Sequence, residues 1–243
     1  MRPRFFAPGA ALGTAVRLPD DESHHLTRVL RLGVGAAVAV FDGEGHEWHG
    51  TVESAGRAGA VVRLEASATP AAEPPVAVTL GVGLQKGDRM ETIVRETTAL
   101  GAAAIVPLST AHVALPSRAR AATAAVERWR RVAIASAKQC GRAVVPEIGN
   151  VATMDALVAK QTSAVILMCV EPEVAGRAAA NGPGPRPSRA LALVGPEGGW
   201  SAEEVARAVS AGARLVHLGP RTLRADLAPT VLLSTLWAAW GWQ

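Results

Sequence analysis

From Val76 onward the chain reads as near-continuous apolar runs, VAVTLGVGL, AAAIVPL, SAVILMCV, ALALVG and RLVHLG, separated by longer stretches of helical periodicity. Strands apolar on both sides must be covered on both faces, so this texture demands a parallel sheet layered with helices, an α/β architecture. Ligands of such sheets sit beyond the carboxyl ends of the strands. Three strand ends carry unusual loops: CVEPEVAGR, GPEGGWS and GPRTLRADLAP. The chemistry of the chain is sought there.

The preceding 66 or so residues have a different grain. Short β-like runs, TAVRL, AAVAVFDGEG, EWHGTVES and AGAVVRLEA, alternate with glycine turns at the spacing of a small β-barrel or sandwich. One helical segment, DDESHHLTRVLRL, interrupts them, with Asp20 or Asp21 available as N-cap and Leu26, Val29 and Leu30 at helical spacing. The proline- and alanine-rich SATPAAEPP, residues 67 to 75, reads as an interdomain linker. Two domains are therefore expected, over residues 1–70 and 71–243. A second biased stretch, AANGPGPRPSR, spans residues 179 to 189.

Charge is lopsided in kind: 22 arginines against 3 lysines, with a net charge of +4. Arginine suits bidentate contact with phosphates and bases, although a G+C-rich genome favouring Arg and Ala codons gives the same composition. Cys140 and Cys169 lie 29 residues apart with no CxxC pairing, so neither a zinc site nor a disulfide framework is read. Proline and glycine interrupt the N-terminal MRPRFFAPGAALGTAV, which is not read as a signal peptide, and VLLSTLWAAWGW is too short to span a bilayer. A cytoplasmic protein without membrane attachment is expected.

Several catalytic templates fail on spacing. GVGLQKGD puts Lys86 where GxGxxG needs its third glycine, and no segment fits GxxxxGK[ST], which disfavours a Rossmann site or a P-loop. HEWH is one residue short of HExxH, and adjacent His24 and His25 cannot face one ligand together, so no metal is expected. With no GxSxG elbow and no histidine readable beside a cysteine, covalent acyl chemistry has no foothold.

What remains is GPEGG. Its glycines expose backbone amides, Pro196 stiffens the entry and Glu197 supplies an acceptor, a composition suited to a small polar organic cofactor bound through main chain. Ser201 and Glu204 also form a capping box for the next helix, and the two roles are compatible. In LQKGDRMETIVRETTALG, Lys86 and Arg89 stand at a helix start that favours an anion; an Asp88 cap with Glu91 completing a capping box is the equal alternative. In AVERWRRVAIASAKQCGR, Val126, Trp129, Ala133, Ala137 and Cys140 form an apolar stripe opposite Arg128, Arg131, Lys138 and Arg142. That basic face is either plain solvated surface or a track for phosphates.

Taken together, HHLTRVLRL with VFDGEG, QKGDRMETIVRETTALGAAAIVPL, AKQCGRAVVPEI, ALVGPEGGWSAEE and HLGPRTLRADLAPT resemble, in order and over nearly the whole chain, the ribosomal RNA small-subunit methyltransferase E family, a branch of the SPOUT methyltransferases. The resemblance implies a PUA-like RNA-binding β-barrel, then an α/β domain with a deep C-terminal trefoil knot. It implies a homodimer that binds S-adenosylmethionine in the knot and methylates N3 of one uridine in 16S rRNA of the small subunit. Cofactor contacts carry over to Val170, Glu171, Gly195, Glu197, Gly198, Leu218, Gly219, Leu223 and Arg224. Arg224, with Lys86 or Arg89, is the candidate for electrostatic catalysis, and Arg2, Arg4, Arg28, Arg31 and Arg142 for holding RNA. Leu227 departs from the family, which commonly has a small polar residue there, beside an acidic residue corresponding to Asp226; Arg221 and Arg224 are retained. The alternatives are a SPOUT methyltransferase of another RNA such as tRNA, or a non-catalytic RNA-binding assembly factor.

Overall fold

The structure, a computed structural model, describes residues 2–113, 119–161, 164–175 and 182–242. Parts of the CVEPEVAGR loop and of the proline-rich stretch lie outside the described residues. The chain divides into two compact units, Met1–Glu73 with Ile134–Val145, and Pro74–Ala133 with Pro146–Gln243.

In the first unit, β1 (Arg4–Phe6), β2 (Ala15–Arg17), β3 (Ala37–Phe41), β4 (Glu47–Gly56) and β5 (Gly59–Ser67) form one sheet in the order β1-β3-β4-β5-β2. The four β-runs legible in the sequence are β2 to β5. The short β1, too brief to show alternation, pairs in parallel with β3 while the other ladders are antiparallel. Among the described residues no ladder joins β1 to β2, so the expected barrel is an open hydrogen-bonded path. Alternate residues of β4 and β5 point inward, and Trp48, Val52, Val62 and Leu64 meet Phe5, Leu26, Val38 and Val40 in one buried cluster. Each such side chain contributes on the order of 1.5–3 kcal/mol by leaving water.

The helical segment departs from its sequence reading. The N-cap of α1 (Asp20–His24) is Pro19, and no side-chain cap bond forms, so neither aspartate caps the helix. Residues His25–Val29 continue as a π-helical turn, with the amide of Leu30 bonded to the carbonyl of His25. Arg31 then ends it in the left-handed region at φ 53°, unusual for a non-glycine residue. This widening turns Val29 and Leu30 out to solvent and leaves only Leu26 of the expected apolar trio buried.

The second unit holds β6 (Ala77–Gly83), β7 (Ala104–Ser109), β8 (Glu147–Ile148), β10 (Val165–Cys169), β11 (Arg189–Val194) and β12 (Arg214–Val216) in the order β12-β10-β11-β6-β7-β8, with β9 (Ala152–Thr153) pairing β7. Every ladder in it is parallel. The five runs read from the sequence are β6, β7, β10, β11 and β12. Leu80, Val82, Leu167, Leu191 and Leu193 are fully buried, as strands covered on both faces require.

The remaining helices are α2 (Arg89–Ala99), α3 (Ala119–Cys140), α4 (Met154–Lys160), α5 (Pro172–Ala175), α6 (Ala202–Ser210) and α7 (Ala228–Trp240). In α3, Val126, Trp129, Ala133 and Ala137 are buried as the periodicity predicts. Arg128 and Arg131 are exposed, with Arg128 paired to Glu91. Asp88 stands at the N-cap of α2 but makes no side-chain cap bond, and Glu91 is spent on Arg128, so the capping box expected there does not form. The box of Ser201 and Glu204 at α6 does form.

Candidate functional site

The ends of β10, β11 and β12 deliver the three unusual loops to one cleft of about 540 Å³ in the second unit. That volume suits a small organic molecule. Its walls combine apolar side chains, Val170, Val194, Leu218, Leu223 and Ala228, with the backbone of Gly195 and Pro196. Its charged groups are Arg89, Glu171, Glu197, Arg221, Arg224 and Asp226.

Close backbone approach builds the floor. A side chain on Gly83, the last residue of β6, would put its Cβ 2.5 Å from the nitrogen of Pro196, so the GPEGG loop lies directly on the central strand. Gly199 is left-handed at φ 67°, and a Cβ there would stand 2.7 Å from a carboxylate oxygen of Glu171. The indole N–H of Trp200 donates to the carbonyl of Cys169 at 3.0 Å, tying the loop after β11 to the end of β10.

Electrostatics distinguish the cleft's carboxylates. Burial opposes ionisation of Glu197, but hydrogen bonds from its own amide, the Arg89 guanidinium and the Lys86 amide outweigh it, holding the carboxyl below the usual range. Asp226 receives Arg224 in a fork, Nε to Oδ1 at 3.1 Å and a terminal nitrogen to Oδ2 at 2.8 Å. Burial, with the nearby Glu171 charge, pushes the Cys169 thiol up to about 12, so this cysteine is no thiolate nucleophile at neutral pH.

Of the residues singled out from the sequence, Val170, Glu171, Gly195, Glu197, Leu218, Leu223, Arg224 and Arg89 line this cleft. Gly198, Gly219 and Lys86 do not. Gly198 faces outward against His112, its hypothetical Cβ 3.0 Å from that of the histidine. The Gly219 carbonyl is engaged by His217 Nδ1 at 3.1 Å. Lys86 acts through its amide on Glu197, and the residue itself is exposed outside the cleft lining.

Two of the five proposed RNA contacts are likewise corrected. The Arg4 guanidinium is 9% exposed and donates to both oxygens of Glu47 and to the carbonyls of Ala137, Lys138 and Arg142, closing the end of α3. Arg142, 4% exposed, pairs with Glu73. A buried guanidinium saturated by protein acceptors has nothing left for phosphate. Lys138, expected on the basic face, is turned onto buried Glu22 at 2.7 Å. Arg2, Arg28 and Arg31 are exposed.

Sequence reasoning missed Gln85, buried at the end of β6 with neither amide atom hydrogen-bonded, and His112 beside the glycine loop. Gln85 opens the QKGDRMETIVRETTALGAAAIVPL block, but its neutral amide carries no charge signal beside Lys86 and Arg89, and His112 lies in none of the quoted blocks. Among the described residues no group of three or more His, Cys, Asp or Glu could hold a metal, and no helix is long and apolar enough to cross a membrane.

The first unit and the cleft unit each have a counterpart among known families. Residues 18–65 match an RNA methyltransferase PUA domain, and residues 72–237 match an RNA methyltransferase domain. A ribosomal RNA small subunit methyltransferase E from Synechocystis sp. is 33% identical over 95% of this chain and 75% of its own. The Bacillus subtilis protein of the same name is 28% identical over 90% of this chain and 88% of its own. Among solved structures, a ribosomal RNA small subunit methyltransferase E from Neisseria gonorrhoeae bound to S-adenosylmethionine superposes with a TM-score of 0.88 at 27% identity, over 99% of this chain and 98% of that one. A Legionella pneumophila structure in complex with the same cofactor gives 0.88 at 27%, over 98% of each chain. With a cleft built at the same loops that carry the sequence blocks, and a family model covering most of the chain, this protein belongs to the ribosomal RNA small subunit methyltransferase E family.

Proposed function

We propose that this protein transfers the methyl group of S-adenosylmethionine to N3 of a specific uridine in 16S rRNA of the small ribosomal subunit. The observation that carries this reading is the cleft itself, where an apolar and backbone-lined cavity is joined by Arg89, Arg221 and Arg224. The cavity fits the cofactor's chemistry. The side chains of Val170, Leu218 and Leu223 suit a flat heterocycle, the GPEGG backbone suits a polar amino-acid moiety, and the carboxylates of Glu171 and Asp226 suit positive charge. The family match and the cofactor-bound relatives support the same reading.

When bound, the cofactor supplies an electrophilic sulfonium methyl, so the protein's task is alignment and charge stabilisation. Uridine N3 is a weak acid, and guanidinium groups near O2 or O4 stabilise the anion as its proton leaves. Arg224, exposed and held at one edge by Asp226, keeps donors free for this role. Arg89 is held by Glu197, which leaves it a supporting cation. Among the described residues no histidine lines the cleft, so the N3 proton passes to solvent water, its release favoured by stabilisation of the anion, and no imidazole base is invoked. N3 is occupied in a base pair, so the uridine is taken out of its stack. Arg2, Arg28 and Arg31 grip the flanking phosphates.

The reading includes residues 1–70 as the RNA-binding domain and 71–243 as the catalytic domain, with the three cleft loops threaded as a trefoil knot. It includes a homodimer working in the cytoplasm. Titration of S-adenosylmethionine into wild type and Gly199→Val tests the cleft. The added side chain displaces the Glu171 carboxylate and needs a left-handed backbone that valine rarely adopts, so binding by the variant is expected to be weakened strongly. Equal affinity in a folded variant would refute this placement of the cofactor.

A further inference from the structure

The glycine loop has an outer side as well as the inner one that faces the cleft. Against that outer side stands the turn following β7, whose residues Ala111 and His112 do not line the cleft. The amide of Ala111 donates to Glu204 Oε1 at 3.0 Å, while Glu204 Oε2 accepts the amide of Ser201 at 2.9 Å. One buried carboxylate thus joins the β7 turn to the end of the glycine loop. His112 Nδ1 lies 3.1 Å from the carbonyl oxygen of Gly199. Since a carbonyl only accepts, Nδ1 carries the proton, in the neutral ring as in the charged one. A Cβ on Gly198 would stand 3.0 Å from that of His112, and one on Gly199 would stand 2.7 Å from a carboxylate oxygen of Glu171. The double glycine is therefore clamped between His112 outside and a cleft carboxylate inside.

We infer that His112 is a positioning residue for cofactor binding: its Nδ1–H fixes the Gly199 peptide, and through it the Gly195–Glu197 backbone that lines the cleft. Gly199 is left-handed and unrestrained by a side chain, so without the brace this peptide samples more states that must be ordered when the cofactor binds. The effect is expected in affinity for the cofactor and not in the chemical step, because His112 does not reach the cleft.

This inference rests on the proposed use of S-adenosylmethionine. Calorimetric titration of that cofactor into the full-length wild type, His112→Ala and His112→Asn tests it, alongside turnover at saturating cofactor. Loss of one neutral hydrogen bond predicts a Kd for His112→Ala weakened by about three- to tenfold, with kcat within about twofold of wild type. Asparagine can place an amide N–H where Nδ1 stands, and His112→Asn is expected to recover most of the affinity. Wild-type affinity in His112→Ala would overturn the assignment, as would an Asn variant no better than Ala, or a loss confined to kcat. Absence of binding by the wild type would instead remove the functional reading, and this inference with it.

Discussion

Arg224 and Asp226 form a two-bond fork at the mouth of the cleft, with distances of 3.1 and 2.8 Å, although the arginine side chain remains 73% exposed. The aspartate fixes one edge of the guanidinium and leaves the other edge directed by the protein but unspent. Arg224→Ala is expected to lower kcat by about 10²-fold, the scale of losing a preorganised donor to a developing anion, with a much smaller change in cofactor Kd. Arg224→Lys should not restore the rate, because an ammonium cannot take the fork. Steady-state methylation kinetics check both, and an unchanged rate in Arg224→Ala would remove it from the mechanism.

The Glu22–Lys138 pair in the first unit sets a pH dependence of stability. Burial pushes the Glu22 carboxyl above its ordinary value, and Lys138 partly counters this by hydrogen bonding and charge. An acid raised in the folded state favours folding most when protonated, so its contribution declines as pH rises from the unfolded value through the folded one. Lys138→Met removes the counter-charge and should cost about 3 kcal/mol at pH 8, less at pH 5. Adding Glu22→Gln should restore most of the loss and flatten the profile. Urea midpoints at the two pH values measure it.

Asp42 gives the opposite sign. Burial works against its charged form, but the Glu44 amide, the His46 ring and the His46 amide outweigh it and lower the carboxyl below its ordinary range. The resulting stabilisation is present above the unfolded value near pH 4 and is lost as pH falls through the folded one. Asp42→Asn should therefore flatten the acid limb of the stability profile below about pH 4, as urea midpoints across that range would measure.

Gln85 is buried with both amide atoms unpartnered at the end of β6. An apolar side chain of the same shape avoids that desolvation, so Gln85→Met is expected to be neutral or to raise unfolding free energy by about 1 kcal/mol. A clear loss of stability on thermal unfolding would show that the amide is satisfied in solution.

How far the sequence reaches follows the range of each interaction. Near-continuous apolar runs revealed β6, β7, β10, β11 and β12, and the Ser201–Glu204 box was legible, because both signals are local. The three loops after β10, β11 and β12 could be named for the same reason. The fate of Arg4 could not be read: its acceptors at Ala137 and Lys138 lie more than 130 residues away, and no local pattern separates it from exposed Arg2. Asp88 occupies a cap position with cap-competent chemistry yet makes no bond, and His112 matters through one carbonyl 87 residues on. The Ile134–Val145 segment folds with the first unit, although no change of composition marks it within α3.

The most direct measurement of the central claim is transfer of labelled methyl from S-adenosylmethionine to purified small subunits, free 16S rRNA and tRNA, with the modified nucleoside identified by mass spectrometry. The account predicts 3-methyluridine in the rRNA of the small subunit and none in tRNA. Label in tRNA, another nucleoside in rRNA, or cofactor binding without transfer to any of the three would contradict it.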